Sequence, residues 1–99
     1  MEFTLTTRHF QPTEALKNRI EKRMEKLDRF NSLIQHVEVI LDLDGNMRKA
    51  EIVLKTKKNV ITAKAIHHDS YAAFDQAYKK LKSRLVKLDD RIREHNGGQ

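Results

Sequence analysis

"HVEVILDLDGNMRKAEIVLKTKKNVITAKAIH", residues 36–67, decides the fold. In its first nine residues Val37, Val39, Leu41 and Leu43 fall on one side, and Glu38, Ile40, Asp42 and Asp44 on the other. Successive side chains of a strand point to opposite faces, so this spacing predicts a half-buried strand over 36–44. Asp44, Gly45 and Asn46 are turn-forming residues, after which Ala50, Ile52 and Leu54 alternate with Glu51, Val53 and Lys55. Two alternating runs joined by so short a turn predict an antiparallel hairpin. "KKN" at 57–59 is a second tight turn, leading into "VITAKAIH" at 60–67. The inward set of that strand is Ile61, Ala63 and Ala65, because the other phase, Val60, Thr62, Lys64 and Ile66, would bury a lysine. Side chains as small as alanine let a helix approach closely.

Outward from this hairpin the pattern changes period. Upstream, "EFTLTTR" at 2–8 alternates Phe3 and Leu5 with polar neighbours, as a further strand does. "QPTEALKNRIEKRMEKLDRF" at 11–30 then places Leu16, Ile20, Met24 and Leu27 at spacings of four, four and three. That is one face of a helix of about 17 residues, ~25 Å long, closed by Phe30 and Asn31. Thr13 supplies its cap and Glu14 meets its dipole in the first turn. Downstream, Asp69 or Ser70 caps a second helix carrying Phe74, Tyr78, Leu81, Leu85, Leu88 and Ile92, again at spacings of four and three. It runs about 25 residues, to near His95, before a flexible tail at 96–99.

The order is β-α-β-β-β-α, an α+β domain over residues 1–95. A helix between the first two strands implies a right-handed crossover that makes them parallel if adjacent, and tight turns make the other pairs antiparallel. The result is a four-stranded mixed sheet. Each strand has one good apolar face, so both helices pack on the same side of it.

The chain has 99 residues with no cysteine, which excludes a disulfide framework and thiolate metal sites. No apolar stretch approaches the ~20 residues needed to cross a bilayer, and "MEFTLTTRHF" lacks the features of a signal peptide. A cytoplasmic protein without membrane partners is expected. The five histidines are scattered or, at His67 and His68, point to opposite strand faces, so no metal or cofactor is expected. Glycine-rich phosphate loops and hydrolase motifs are missing, which points away from an enzyme and from a small-molecule substrate.

A net charge of +6 calls for an acidic partner. Positive and negative groups number seven and five over residues 1–30, six and four over 31–68, and seven and five over 69–99, so any basic patch has to be made by folding. At about 100° per residue, Arg19, Lys22, Lys26 and Arg29 share one flank of the first helix, opposite Glu14, Glu21, Glu25 and Asp28. On the second helix Lys80, Arg84, Lys87 and Arg91 form a stripe beside the apolar sector, Lys79 points straight out, and Lys82 and Arg93 lie on the other flank. Sorted rather than interleaved charges favour a polyanion, since a row of about one cation per turn can follow a phosphate backbone. Phe3, Phe74 and Tyr78 belong to the core and Phe30 to a helix end, leaving only Phe10 and Tyr71 free. Recognition by shape and phosphate, as for structured RNA, is therefore expected.

"TEAL" at 13–16, "KLDRF" at 26–30 and above all "DSYAAFDQAYKKL" at 69–81 resemble the ribosome hibernation promoting factors and ribosome-associated inhibitors, formerly named sigma-54 modulation proteins. The resemblance covers nearly the whole chain, and that family's fold is similar to double-stranded RNA-binding domains. It implies a stationary-phase or stress protein that binds the small ribosomal subunit and its rRNA across the mRNA and tRNA sites, silencing and protecting idle ribosomes. By position it implies RNA contacts from Lys22, Lys26 and Arg29 on the first helix and Lys80, Arg84 and Lys87 on the second; Arg19, Lys79 and Arg91 complete the candidate set. Tyr71 and Asp75 match the motif as packing and capping residues. Leu88, Asp89 and Asp90 stand where short members often continue a basic run. Ending at Gln99, the chain looks like a short form, expected to be a monomer when free.

Two other readings compete with a ribosome-binding regulator. One is a protein-interaction module modulating transcription through the outer sheet face, where Ile40, Val53, Val60 and Ile66 supply either an interface or mere β-propensity. The other is a generic binder of structured RNA.

Overall fold

The computed structural model describes residues 2–97, with side chains as far as Arg93. Strand β1 (Glu2–Arg8) leads into α1 (Glu14–Glu25), a 3₁₀ segment (Lys26–Phe30), β2 (Ile34–Asp44), β3 (Met47–Thr56), β4 (Val60–His67) and α2 (Ser70–Gly97). The strands form one sheet in the order β1-β2-β3-β4. β1 pairs parallel with β2, while β2–β3 and β3–β4 are antiparallel. This is the mixed sheet and element order expected from the periodicity.

The predicted strand phases set what is buried. Val37, Val39 and Leu41, then Ala50, Ile52 and Leu54, then Ala63 and Ala65 form the sheet's inner face, with Phe3, Leu5 and Ile61 packed at its margins. Leu16, Ile20 and Met24 of α1 and Phe74, Leu81 and Leu85 of α2 close on that same face, giving one core. Ala50 pairs with Ala65 in the ladder, and α2 brings its own buried Ala73 and Ala77 to the same core. Small side chains on both partners let this helix settle close to β3 and β4.

Both turns follow from their residues. Asp44 pairs with Met47, leaving the two-residue loop Gly45–Asn46, in which Gly45 takes φ 61° at the first central position. A positive φ there alone is the II′ geometry that matches strand twist and that glycine adopts without steric cost. Across the β3–β4 turn the Asn59 N–H donates to Thr56 Oγ1 at 2.9 Å and the Thr56 N–H to the Asn59 carbonyl at 2.9 Å, which satisfies the buried threonine.

Three boundaries differ from expectation. The first helix is not α-helical to Phe30; it tightens after Glu25 into the 3₁₀ segment. With about three residues per turn, side chains at i and i+3 eclipse, so Leu27 and Phe30 both stay in the core. β2 begins two residues early, at Ile34, with its register shifting between Ile34 and His36. α2 extends to Gly97, and the tail expected over 96–99 lies in part outside the described residues. Among the described residues no helix is long and apolar enough to cross a membrane.

Candidate nucleic-acid interface

The cap of α2 is built as the sequence implies. Asp69 accepts from the Tyr71 and Ala72 N–H groups, each at 3.3 Å. Two further residues of the "DSYAAFD" run at 69–75, Tyr71 and Asp75, join α2 to α1. Arg19 Nη1 donates to Asp75 Oδ2 at 2.8 Å, its guanidinium lies 5.3 Å from the Tyr71 ring centroid, and the Tyr71 hydroxyl meets Thr13 Oγ1 at 3.4 Å. Thr13 in turn caps α1 by accepting from the Leu16 N–H at 3.1 Å. Tyr71 is thus half-buried and engaged rather than free, and Asp75 serves an ion pair between helices rather than a cap. Phe10 is likewise half-buried, with the Arg48 guanidinium 5.2 Å over its ring.

Beyond this latch the basic flank of α1 faces α2. Lys22 lines a shallow groove with Arg19, Arg23 and Tyr71. Next to it, Arg23 and Lys26 from one side and Lys79, Lys82 and Lys87 from the other line a cleft of about 530 Å³, completed by Tyr78, Ser83 and Val86. No carboxylate lines the cleft, and among the described residues none of its five cations makes an ion pair. Like charges gathered without a counter-charge repel, and a bound polyanion relieves that repulsion. The charge on the cleft is therefore a feature of assembly: Arg23 comes from α1, Lys26 from the 3₁₀ segment after it, and Lys79, Lys82 and Lys87 from α2, far away in sequence.

The other flank of α2 meets β4 instead. Lys80 Nζ donates to the Lys64 carbonyl at 2.9 Å, and Arg84 Nη1 donates to the Thr62 carbonyl. β4 is an edge strand, and these two side chains occupy alternate carbonyls along it. Covering an edge with charged side chains is a known defence against strand-to-strand association. Arg84, Lys87 and Arg91 also line a second cleft, shared with Asn59, Thr62 and Asp90, so this side carries an acidic group among its cations. Arg29 lies apart from both clefts' linings, its guanidinium 4.5 Å over the ring of its neighbour Phe30.

Arg29 aside, the candidate residues thus separate into three groups. Lys26, Lys79 and Lys87 converge on the interhelical cleft with Lys22 close by; Lys80, Arg84 and Arg91 lie toward β4; Arg19 is held in the latch. Arg23, Lys82 and Tyr78 belong to the cleft and were not among the candidates. The spacing of Arg23, four residues after Arg19 and three before Lys26, carried the signal that it shares their flank.

The sigma 54 modulation protein / S30EA ribosomal protein family is matched over residues 3–93. The chain belongs to that family. A ribosome hibernation promoting factor of Azotobacter vinelandii is 29% identical over 99 residues, covering 100% of this chain and 92% of its own. One of Escherichia coli strain K12 is 28% identical over 95 residues, covering 96% of this chain and 100% of its own. Among solved structures, a ribosomal subunit interface protein from Coxiella burnetii matches with a TM-score of 0.82 at 21% identity, over 91% of this chain and 99% of that one, a likeness of fold.

Proposed function

We propose that this member of the S30EA family is a non-enzymatic, cytoplasmic translation regulator that binds the small ribosomal subunit. On this reading it occupies the mRNA and tRNA decoding region through its two basic helices, inhibiting translation and protecting idle ribosomes. The observation that carries the proposal is the sorting of charge: cations from α1 and α2 meet across one cleft, while the acidic groups of α1 face away from it. The family membership and the names of its relatives, ribosome hibernation promoting factors, supply the partner. With Tyr71, Tyr78 and Phe74 all committed to packing, the helices present charge rather than rings, which suits phosphate and shape over base stacking.

The outer sheet face favours a partner protein less. In the ladder Ile40 stands opposite Thr6 and Glu51, Val53 opposite Glu38 and Thr62, Val60 opposite Lys55, and Ile66 opposite Lys49. No apolar residue of this face sits directly across from another, so it forms a chequered surface rather than a contiguous patch.

Cosedimentation with small subunits and whole ribosomes across a salt series tests the proposal, with an mRNA fragment and initiator tRNA as competitors. Saturable, salt-sensitive binding that excludes both competitors is expected. Binding that persists alongside both competitors would place the protein elsewhere on the ribosome, and equal affinity for an arbitrary RNA duplex would reduce it to a general RNA binder.

A further inference from the structure

The sheet has two edges, and only one of them is guarded. Along β4 the side chains of Lys80 and Arg84 hold two carbonyls. β1 is the other edge, paired on one side with β2, and among the described residues no group outside the sheet hydrogen-bonds to its backbone. An edge strand turns a row of N–H and C=O groups outward, a template on which another strand can form. The usual ways of blunting such an edge are missing from β1. It is seven residues long, it pairs with β2 without a bulge, and its interior from Phe3 to Thr7 holds no charge and no proline. Phe3, Thr4, Thr6 and Thr7 are of the residue types that favour strands. The inner face is unfinished there as well, since Phe3 and Leu5 are only half-buried at the margin of the core.

The two ends of β1 carry charges of opposite sign. Glu2 and Arg8 are both exposed, and among the described residues neither makes an ion pair within the chain. We propose that β1 is a self-pairing edge: a second copy of this chain adds its own β1 antiparallel, about a twofold axis through Leu5, giving a dimer in place of the free monomer expected from the sequence. In that register Glu2 faces the partner's Arg8, and the symmetry makes the contact twice. Phe3 stands opposite the partner's Thr7 and Leu5 opposite the partner's Leu5, which covers the open margin of both cores. A slip by one residue would turn Phe3 and Leu5 toward the partner's outer face, and a slip by two would part Glu2 from Arg8. The axis is perpendicular to the sheet, so the helices of both copies lie on one side of it. Helices pack ~8–10 Å apart and strands ~4.8 Å apart, so two helices need no more width than their four strands and leave room for the neighbour. A strand of another protein meets the same backbone groups, but the chain's own β1 already carries the matching charge at each end. Self-pairing is independent of the ribosome.

One seven-residue strand is far smaller than the ~20–30 residues a side of a standard interface, so the dimer is weak, with a Kd of about 0.1–1 mM. The test is sedimentation equilibrium of the full chain, freed of nucleic acid, at ~0.15 M salt to screen its net charge of +6. Over about 10 µM to 2 mM the mean mass should rise toward that of a dimer, and hydrogen exchange at residues 3–7 should slow at the upper concentrations. Thr4→Lys, at an exposed position, puts on β1 the kind of charge that protects natural edges and should weaken association at least about tenfold. Glu2→Arg and Arg8→Glu each set like charges opposite one another and should each weaken it about tenfold. Mixed in equal amounts, these two variants bring unlike charges together at both ends and should associate within about threefold of the unaltered chain. Arg8 pairs with Asp42 in the ladder, so the Arg8→Glu variant is first shown to fold by its melting; Thr4→Lys and Glu2→Arg carry the test if it does not. Self-pairing is overturned by a mean mass that stays at the monomer throughout, by association that Thr4→Lys and Glu2→Arg leave unchanged, or by a mixture of folded variants no tighter than either alone.

Discussion

The two flanks of α2 carry similar numbers of cations and do different things with them. On one flank Lys80 and Arg84 each give an N–H to the backbone of β4, and Asp90 shares the cleft that Arg84, Lys87 and Arg91 line. On the other, Lys79 and Lys82 face Arg23 and Lys26 with nothing opposite but more positive charge. The first flank anchors two of its cations on a strand and has one carboxylate in its cleft; the second has neither. A stripe of basic residues on a helix is thus a statement about angle, and what each cation is free to bind depends on which neighbour the angle meets.

Exchanging the flanks in stability measurements is the most direct way to break this contrast. Removing the charge from Lys80 and Arg84 together, as alanines, deprives two edge carbonyls of their donors. The loss should be ~1–2 kcal/mol of unfolding free energy at low salt, allowing for the solvent exposure of both side chains. The uncovered edge should also raise self-association in sedimentation. Lys79→Ala with Lys82→Ala should instead be neutral or slightly stabilising in the same denaturant titration, because it removes repulsion and no hydrogen bond. Equal costs on the two sides would show that the β4 contacts contribute nothing to the fold.

The latch between the helices permits a finer test. Asp75 is the carboxylate that holds Arg19 out of the cleft, and its Oδ1 is buried without a partner. Both side chains of the pair are more than a third exposed, so the ion pair contributes at most ~1 kcal/mol. Asp75→Asn should therefore cost less than the edge variant in thermal unfolding. At the same time it frees one guanidinium beside the cleft, which should steepen the salt dependence of RNA binding by about one. A variant that loses stability without any change in that slope would confine Arg19 to a structural role.

Much of this architecture was legible because its periods are strict. The alternation through 36–44 and 50–55, and the four-three spacing from Phe74 to Ile92, each leave one consistent buried face, and the sheet order and both helix positions follow. The site was legible only in part. A helical wheel sorts Lys80 from Lys82 about one axis, yet it is silent on whether α1 or β4 lies beyond each flank. That depends on where the crossover sets α1 beside α2 over the sheet. The wheel leaves Phe10 and Tyr71 free for the same reason, since Arg48 and Arg19 reach them from other elements; only the motif that Tyr71 matches marks it as a packing residue. The 3₁₀ tightening at Lys26 leaves no mark in the sequence, because Leu27 and Phe30 satisfy an i,i+3 spacing in either kind of helix.

The smallest predicted effect concerns pH, and it separates a carboxylate-bearing part of the surface from the cleft by chemistry alone. At the end of β1, His9 adopts a left-handed φ of 69° and its Nδ1 lies 2.8 Å from Asp42 Oδ1 on β2. The hydrogen bond from His9 is the main cause holding the Asp42 carboxyl below its ordinary value of 3.8. A carboxyl with a lowered folded pKa stabilises the fold while ionised, above the unfolded value, and withdraws that contribution as pH falls through the folded one. Acidification from about pH 5 should therefore loosen the β1–α1 connection first, where a strained backbone depends on this contact. Hydrogen exchange at residues 8–10 should rise in that range, while exchange in α2 beside the cleft, whose lining contains no carboxylate, stays level. Asp42→Asn should remove the acid-dependent part of the change at residues 8–10. If the substitution leaves that pH profile as it was, the bend owes its geometry to Phe10 packed beneath Arg48 rather than to the His9 contact.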